Sequence, residues 1–339
     1  MKKVIRFLRA DEWLTSKVTL MTGVLLFFSY INATGVDRVI REMIAFFLFV
    51  SMFLAVSYVA NDLSDIEVDK KAGKQKVIAE LPGWMVFFSF FIMIIIGNIP
   101  IILISINKKQ SIILIVVTYI LGLAYSTLGL RFKEKGAVGL IECSFAQRCM
   151  PLFLVACLEE VKGISNIYLT GWIVISFLDG LRYILIHQIL DMDNDIKSGV
   201  KTFITQKRKN FRNIIRTFLV TEVLILCGVF TPLWGDMPVF MICIISIYVL
   251  FELCIYIVLN IYAGKDWLVT FDSVPLEAFL NVVFPTAMGI FMVRTAGWQM
   301  LVYCVLVVML CLKSLTVKMN IVAIFIRSKM GNVKDKRYN

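Results

Sequence analysis

The feature that most constrains this chain is a series of long apolar windows. One of them, MIAFFLFVSMFLAVSYVA at residues 43–60, has no charged residue and is close to the length of about 20 residues that crosses a bilayer as a helix. Hydrophobic residues make up 59% of the chain and charged residues only 17%, and the mean hydropathy is +0.84. The sequence therefore predicts an all-α polytopic membrane protein. Its ten apolar windows lie at about 18–34, 42–60, 84–105, 111–130, 137–158, 167–190, 212–231, 238–262, 276–293 and 298–317.

Basic residues are distributed unevenly between the segments that join these windows. With the N-terminus inside, 26 of the 35 Lys and Arg residues fall in inner segments and six in outer loops. This positive-inside bias predicts that the N-terminus, and the C-terminus of a ten-helix chain, are cytoplasmic. The net charge of +11 is then explained by the membrane topology, by contact with membrane lipids and by any anionic ligand. Nucleic acid is therefore not expected as a partner. We expect a multi-pass protein of the plasma membrane.

A polar stretch, NDLSDIEVDKKAGKQK at residues 61–76, follows the second window. On a continuing helix Asp62, Asp65 and Asp69 share one face, where like charges three or four residues apart repel each other. A cation must sit among them, and oxygen ligands at this density, with Asn61 included, suit Mg²⁺. Acidic groups at the edge of a bilayer are costly and by default functional. The stretch is therefore a candidate magnesium site on the cytoplasmic side.

A second acidic stretch, HQILDMDNDIKSGVKTF at residues 187–203, repeats part of the first. The pattern Asp-xxx-Asp-x-Lys-x-Gly begins at Asp65 and recurs 126 residues later at Asp191. Each copy follows an even-numbered window, which predicts one domain over residues 1–339 with two parallel four-helix pseudo-repeats and acidic motifs at 61–76 and 187–203. Chance resemblance between two short polar loops is the alternative. A calcium loop is not supported, because Ile196 and Thr202 stand where such a loop needs Gly and a bidentate Glu.

The two acidic stretches together indicate a phosphorylated substrate. Mg²⁺ ions keep water ligands and usually bridge substrate phosphates, so the expected ligand is a diphosphate at the membrane rim. Lys71, Lys197 and Lys201 are placed to offset its remaining charge. The apolar helices below suit a hydrocarbon tail, so an isoprenyl diphosphate fits. Coordination by Mg²⁺ would stabilise the leaving diphosphate and promote ionisation of the donor to an allylic cation.

These motifs resemble those of the UbiA superfamily of intramembrane prenyltransferases. The stretch NDLSDIEVD matches the NDxxDxxxD motif of that superfamily, and the pattern from Asp191 to Asp195 matches its DxxxD motif. A third segment, YSTLGLRFKEKG, is similar to the YSxPPxKxK stretch of the chlorophyll synthase branch. There Tyr125 and Lys133 match, while Arg131 replaces the first Lys and the two prolines are absent.

The resemblance implies a fold, a cofactor and a set of site residues. The implied fold is a bundle of nine transmembrane helices around a central cavity, with the acidic motifs under a cytoplasmic cap and one extra C-terminal helix in this chain. The cofactor is Mg²⁺ and the donor an isoprenyl diphosphate. The residues implied as catalytic are Asp62, Asp65, Asp69, Asp191 and Asp195, which together with Asn61 are the implied metal ligands. The implied substrate-binding residues are Asn61, Lys71, Tyr125, Arg131, Lys133, Arg148, Lys197 and Lys201.

Other polar residues lie inside the apolar windows. Arg148 and Arg182 are intramembrane cations and therefore candidates for the site. Pairing with Glu142 or Asp179, or snorkelling to the membrane interface, is the structural alternative for both. His187, the only histidine, lies one turn before Asp191, and a structural hydrogen bond is favoured over a role beside the metal ligands.

Three functions are compatible with these patterns. The first is a Mg²⁺-dependent transfer of an isoprenyl group from its diphosphate to a small, lipophilic or aromatic acceptor that the sequence does not identify. The second is a terpene cyclase of the same superfamily, which ionises the diphosphate without an acceptor. The third is a transporter with intramembrane carboxylates. The transporter is disfavoured, because the acidic residues cluster at one rim beside lysines instead of at the midplane.

Overall fold

The architecture is a bundle of helices. The structure is a computed structural model, and it describes residues 7–71, 76–127, 129–199, 202–207, 212–236, 238, 245–246, 248–250, 253, 274–312 and 316. All regular secondary structure in these ranges is helical, which confirms the predicted all-α class. The long helices are α1 (Ala10–Ile31), α2 (Val36–Ser64), α3 (Gly83–Ile104), α4 (Lys108–Ala124), α5 (Ala137–Leu158), α6 (Ser165–Ser198), α7 (Arg212–Val229), α8 (Val274–Arg294) and α9 (Gln299–Leu312).

Six of these helices, α1, α2, α3, α5, α6 and α8, are long and apolar enough to cross a membrane. They confirm that the protein is a multi-pass membrane protein. The predicted eighth window, 238–262, lies almost entirely outside the described residues, so nine or ten spans remain a prediction. The first predicted window began too late, because α1 starts at Ala10 instead of residue 18. The two-repeat organisation of the single domain also stays a prediction.

The core of the bundle is built around α1 and the middle of α2. Trp172 of α6 is fully buried and stacks on Phe284 of α8 with ring centroids 4.5 Å apart, and its edge contacts Phe27 of α1 at 5.8 Å. By contrast α3 faces outward, with Trp84 70% and Phe87 74% exposed. Apolar side chains on that surface suit contact with lipid, because lipid tails are as apolar as the side chains themselves.

A polar cluster holds the end of the bundle that lies far from the acidic motifs. The carboxylate of Glu159, just after α5, accepts hydrogen bonds from Ser29 Oγ at 2.5 Å, Asn32 Nδ2 at 3.0 Å and Thr34 Oγ1 at 2.8 Å. Helix α2 has 29 residues and spans roughly 42 Å between this end and the acidic end. The two ends of the bundle are therefore polar, and the apolar core lies between them.

Among the described residues, three helices contain a π-helical segment: Leu14–Val18 in α1, Phe145–Cys149 in α5 and Phe279–Val283 in α8. A π-helical turn adds one residue to the turn and changes the direction of its side chains, and such turns are frequent at functional sites. The first two segments lie at the same cavity, as shown below.

Candidate active site

The first acidic motif straddles a break between helices. Helix α2 ends at Ser64, and the Asp65 N–H donates to Asn61 O at 3.1 Å before the short helix Ile66–Lys71 begins. The prediction of one continuous helix through the motif is therefore wrong at Asp65, whereas the shared face of the three aspartates stays a prediction. The break lets Asp62 and Asp65 contact different partners.

Asp62 is buried and paired with two cations. Its Oδ1 accepts from Arg9 Nη1 at 2.9 Å and from Lys76 Nζ at 2.7 Å. Arg9 also donates to both carboxylate oxygens of Glu12, at 2.7 and 2.6 Å. Burial of the guanidinium opposes its charge, but hydrogen bonding to Glu12 and attraction by Glu12 and Asp62 outweigh that effect, so the pKa of Arg9 is raised. This arginine stays charged and neutralises part of the negative charge of Asp62 and Glu12.

Asp65 and Asn61 share a third cation, Lys133. The ammonium of Lys133 donates to Asp65 Oδ1 in a short contact and to Asn61 Oδ1 at 3.3 Å. Ser126 Oγ donates to the same Asn61 oxygen at 2.5 Å. Arg131 lies 3.7 Å from Asp65, but it is half-exposed and forms a closer pair with Glu134. In the segment YSTLGLRFKEKG, Lys133 therefore contacts the first acidic motif more closely than Arg131 does.

Both acidic motifs meet at one cavity, which has a volume of about 260 Å³. Asn61 and Asp65 from the end of α2 line it together with Asp195 from the inner part of α6. Tyr125 and Lys133 also line it. A cavity shared by the two motifs is the arrangement that a common metal–diphosphate site requires.

Several predicted residues are placed only by their backbone or not at all. Asp69 and Lys71 lie in the helix Ile66–Lys71, and Asp191 and Lys197 lie in α6, but the positions of their side chains are outside what the structure describes. Lys201 lies outside the described residues. The assignment of these five residues to the site stays a prediction.

The two intramembrane arginines differ in their surroundings. Arg148 lines the cavity, where it forms an ion pair with Asp179 at 2.9 Å, donates to Ser16 O at 2.6 Å and stands 5.8 Å from the centre of the Tyr183 ring. Arg182 is fully buried away from the cavity and is also paired with Asp179, at 2.6 Å. Pairing with Asp179 is thus confirmed for both, and only Arg148 also faces the cavity.

Four further residues that no sequence motif indicated also line the cavity: Arg9, Glu12, Lys17 and Gln147. The ammonium of Lys17 donates to Tyr58 Oη at 3.0 Å and, in a short contact, to Gln147 Oε1. It also lies 4.9 Å from the centre of the Tyr58 ring. The sequence signal for Lys17 is its position at the edge of the first apolar window. Because α1 begins at Ala10, this lysine lies inside the helix that can span the membrane.

The described residues suit a magnesium ion in their chemistry. Asn61, Asp65 and Asp195 line the cavity and carry amide and carboxylate oxygens, and Asp65 already pairs with a cation, Lys133. Mg²⁺ is usually held by one or two carboxylates plus water and substrate phosphates, so these side chains suit it. In the part of the chain that the structure describes, no three His, Cys, Asp or Glu side chains are close enough to hold a metal unaided.

Comparison with known proteins decides the family. The description of the UbiA prenyltransferase family matches residues 20–283. The chain belongs to this family. Comparison with curated protein sequences gives no significant match.

The UbiA fold is also found in solved structures. A UbiA homologue from Archaeoglobus fulgidus bound to GPP and Mg²⁺ has a TM-score of 0.59 at 15% identity, over 85% of this chain and 99% of that one. The homologue from the same organism bound to DMAPP and Mg²⁺ has a TM-score of 0.56 at 15% identity, over 84% and 98%. A structure of digeranylgeranylglyceryl phosphate synthase has a TM-score of 0.51 at 15% identity, over 89% and 98%. At this identity the likeness establishes the UbiA fold.

Proposed function

We propose that this protein is a Mg²⁺-dependent intramembrane prenyltransferase, which transfers an isoprenyl group from an isoprenyl diphosphate to an acceptor and releases diphosphate. The observation that carries the proposal is the cavity shared by Asn61 and Asp65 of the first motif and Asp195 of the second. Membership of the UbiA family and the two relatives that bind GPP or DMAPP with Mg²⁺ support it. We place the cavity's rim on the cytoplasmic side of the plasma membrane, following the distribution of basic residues.

The proposed metal ligands are the oxygen-bearing residues of both motifs. Bound Mg²⁺ would supply positive charge that stabilises diphosphate as a leaving group. The residues proposed for this role are Asn61, Asp62, Asp65, Asp69, Asp191 and Asp195. Asp65 and Asp195 line the cavity, whereas Asp62 lies outside the cavity lining with its Oδ1 paired to Arg9 and Lys76, so Asp65 and Asp195 are the described carboxylates of the two motifs best placed for this role.

Basic and polar side chains around these ligands would bind the diphosphate. Lys133 reaches Asp65 and Asn61, so its ammonium is within reach of any anion that these residues hold through a metal. Tyr125 lines the same cavity, and it is one of the residues that match the chlorophyll synthase-like segment. The other proposed diphosphate-binding residues are Lys71, Arg131, Lys197 and Lys201. The chain's role is then to orient the donor, exclude water and balance charge as the C1–O bond breaks.

In the proposed transfer the electron pair of the C1–O bond leaves with the diphosphate. A nucleophilic atom of the acceptor forms the new bond to C1 and gives up one proton to water. A terpene cyclase would instead need aromatic faces free to shield a carbocation. Two of the three tyrosine rings that line the cavity are already occupied by cations: Arg9 and Lys17 lie over Tyr58, and Arg148 lies near Tyr183. The third ring, Tyr125, is then the aromatic face left to a cyclase, and this smaller aromatic surface favours transfer to an acceptor over cyclisation.

The test is diphosphate release by the purified protein with Mg²⁺ and donors of five to twenty carbons, followed by mass spectrometry of the products. Asp65→Asn and Asp195→Asn are each expected to lower the rate by about 100-fold or more, as loss of a group that stabilises developing charge does. Asp37→Asn, an exposed residue at the opposite end of α2, is the matched control and should retain full activity.

Three outcomes would contradict parts of this proposal. Unchanged diphosphate release in both acidic variants would remove their assigned role. Release that is unaffected by chelation of Mg²⁺ would remove the metal. A terpene hydrocarbon or alcohol formed in high yield from the donor alone would replace the transferase by the cyclase.

A further inference from the structure

The end of the bundle far from the acidic motifs contains two buried carboxyl groups that lie close together. Glu42 lies near the start of α2 and is 1% exposed, and Glu159 lies just after α5 and is 2% exposed. Each is within hydrogen-bonding reach of the other. Two like charges at this separation repel each other and have lost their contact with water, so the Glu42–Glu159 pair is costly unless its charge is balanced.

The Glu159 carboxylate accepts three hydrogen bonds. Ser29 Oγ donates to its Oε1, and Asn32 Nδ2 and Thr34 Oγ1 both donate to its Oε2. All three donors come from the end of α1 and the loop that leads to α2. Hydrogen bonds to both oxygens favour the charged form of a carboxyl group. Glu159 is therefore the member of the pair that stays ionised.

The two oxygens of Glu42 differ in their surroundings. Oε1 accepts from Arg38 Nε at 2.7 Å, and the same guanidinium donates to Leu158 O at 2.5 Å. Oε2 is buried and has no hydrogen-bond donor among the described residues. Since Glu42 is also within reach of Glu159, two acceptor groups meet without a donor hydrogen between them. A proton on Glu42 would turn this contact into a hydrogen bond.

The charges at the Glu42–Glu159 pair do not balance when both groups are ionised. Among the described residues, Arg38 is the cation that interacts with both, so two negative charges face one positive charge. The side chain of Arg38 is 46% exposed, so water weakens its field at the buried oxygens. The other charged residues of the neighbouring elements are exposed: Asp37, Arg41, Lys108, Lys109, Glu160, Lys162 and Arg294. Tyr30 and Cys157 also lie at this end, and such side chains are neutral below about pH 8. One buried negative charge is therefore left over.

We infer that Glu42 keeps a proton and shares it with Glu159, so that the pair forms a pH-sensitive link between α2 and the segment after α5. A protonated Glu42 donates a hydrogen bond to Glu159 and leaves a single negative charge near Arg38. Loss of the proton at higher pH places two buried carboxylates in contact, and their repulsion should separate the two segments. The link lies at the opposite end of α2 from the proposed active site and does not depend on the proposed function.

A metal ion is a poorer occupant of this site than a proton. The oxygens of Glu159 already accept three hydrogen bonds, and Ser29 and Thr34 use their hydroxyl hydrogens for two of them. A metal ion would also lie beside the guanidinium of Arg38, which would repel it. Hard cations prefer oxygen ligands, so Na⁺ and Ca²⁺ are separate arms of the experiment.

The experiment measures the melting temperature of the full chain in detergent from about pH 6 to about pH 9. A glutamate in the unfolded chain ionises near about pH 4, so only the folded chain holds this proton in that range. The stability of the wild type should therefore fall as the pH rises. Glu42→Gln introduces a neutral amide that can donate to Glu159 and accept from Arg38. Relative to the wild type, the melting temperature of this variant should rise by about 2–4 °C across the range.

Glu160→Gln is the matched control, because Glu160 is the next residue after Glu159 and is exposed. This variant should follow the wild-type melting temperature at every pH. Parallel curves for the wild type and Glu42→Gln would overturn the inference. If Na⁺ or Ca²⁺ restores the melting temperature of the wild type at about pH 9, and choline chloride of equal ionic strength does not, a metal ion occupies the pair and the inference is overturned as well.

Infrared spectra of the wild type protect the test against misfolding of Glu42→Gln. A protonated carboxyl group has a carbonyl absorption that a carboxylate lacks, and part of this absorption should disappear between about pH 6 and about pH 9. A wild-type spectrum that does not change over this range would overturn the inference. In folded Glu42→Gln, the absorption that disappears should be smaller by one carboxyl group. Diphosphate release should be the same in Glu42→Gln and the wild type, so this inference and the proposed function can fail separately.

Discussion

The buried ion-pair network around Arg182 allows a quantitative prediction about what holds the bundle together. Arg182 of α6 is fully buried and pairs with Asp179 at 2.6 Å, with Glu222 of α7 at 3.2 Å and with Glu277 of α8 at 3.5 Å. Asp179 in turn pairs with Arg148 of α5 at 2.9 Å. One guanidinium therefore connects three helices directly and a fourth through Asp179.

The Arg182→Met substitution should be strongly destabilising. It keeps most of the side-chain volume but removes the cation that contacts Glu222 and Glu277, and it leaves Asp179 paired with Arg148. Removal of one partner from a buried pair costs about 3–5 kcal/mol of unfolding free energy, because an uncompensated charge remains. That loss corresponds to roughly 150- to 5,000-fold in the unfolding equilibrium. The real cost is limited by protonation of the stranded carboxyl groups, so we expect the lower half of the range.

Reversible unfolding in mixed detergent micelles measures this cost. Arg182→Met should lose about 3 kcal/mol relative to the wild type, and Glu222→Gln in the same chain should restore part of it, because it removes one stranded carboxylate. Lys162→Gln, which breaks the exposed pair with Glu160, is the matched control and should leave the unfolding curve unchanged. A loss below about 1 kcal/mol in Arg182→Met would refute the argument that the network stabilises the fold.

Three other variants test separate parts of the structure. Lys133→Gln removes the cation shared by Asp65 and Asn61, so the KM for an isoprenyl diphosphate should rise about tenfold or more in steady-state kinetics. Gly122→Val adds a Cβ that would lie 2.7 Å from a carbon of the Phe53 ring. This clash should force α4 away from α2 and lower the melting temperature. An unchanged melting temperature would contradict the close packing of the two helices. Glu159→Ala removes the acceptor of three hydrogen bonds at the end of the bundle far from the acidic motifs and should cost about 1–3 kcal/mol in the same unfolding assay.

The sequence predicted the class of fold because hydrophobic length is a direct physical requirement of a membrane span. The same reliance on hydrophobicity led to a wrong prediction of where the first helix begins. Residues 10–17 contain Asp11, Glu12 and Lys17, which lower the hydropathy of the window, although Glu12 and Lys17 line the cavity. A hydropathy average cannot distinguish a polar face that lines a cavity from a polar segment outside the membrane.

The candidate site was predictable where it depended on spacing and not where it depended on packing. Repetition of the Asp pattern led to the expectation that the two motifs meet, and Asp65 and Asp195 do line one cavity. The pairing of Asp62 with Arg9 could not be predicted, because it depends on the end of α2 at Ser64 and on a contact across 53 residues. Contacts between distant segments are fixed by tertiary packing and leave no periodic signal in the sequence.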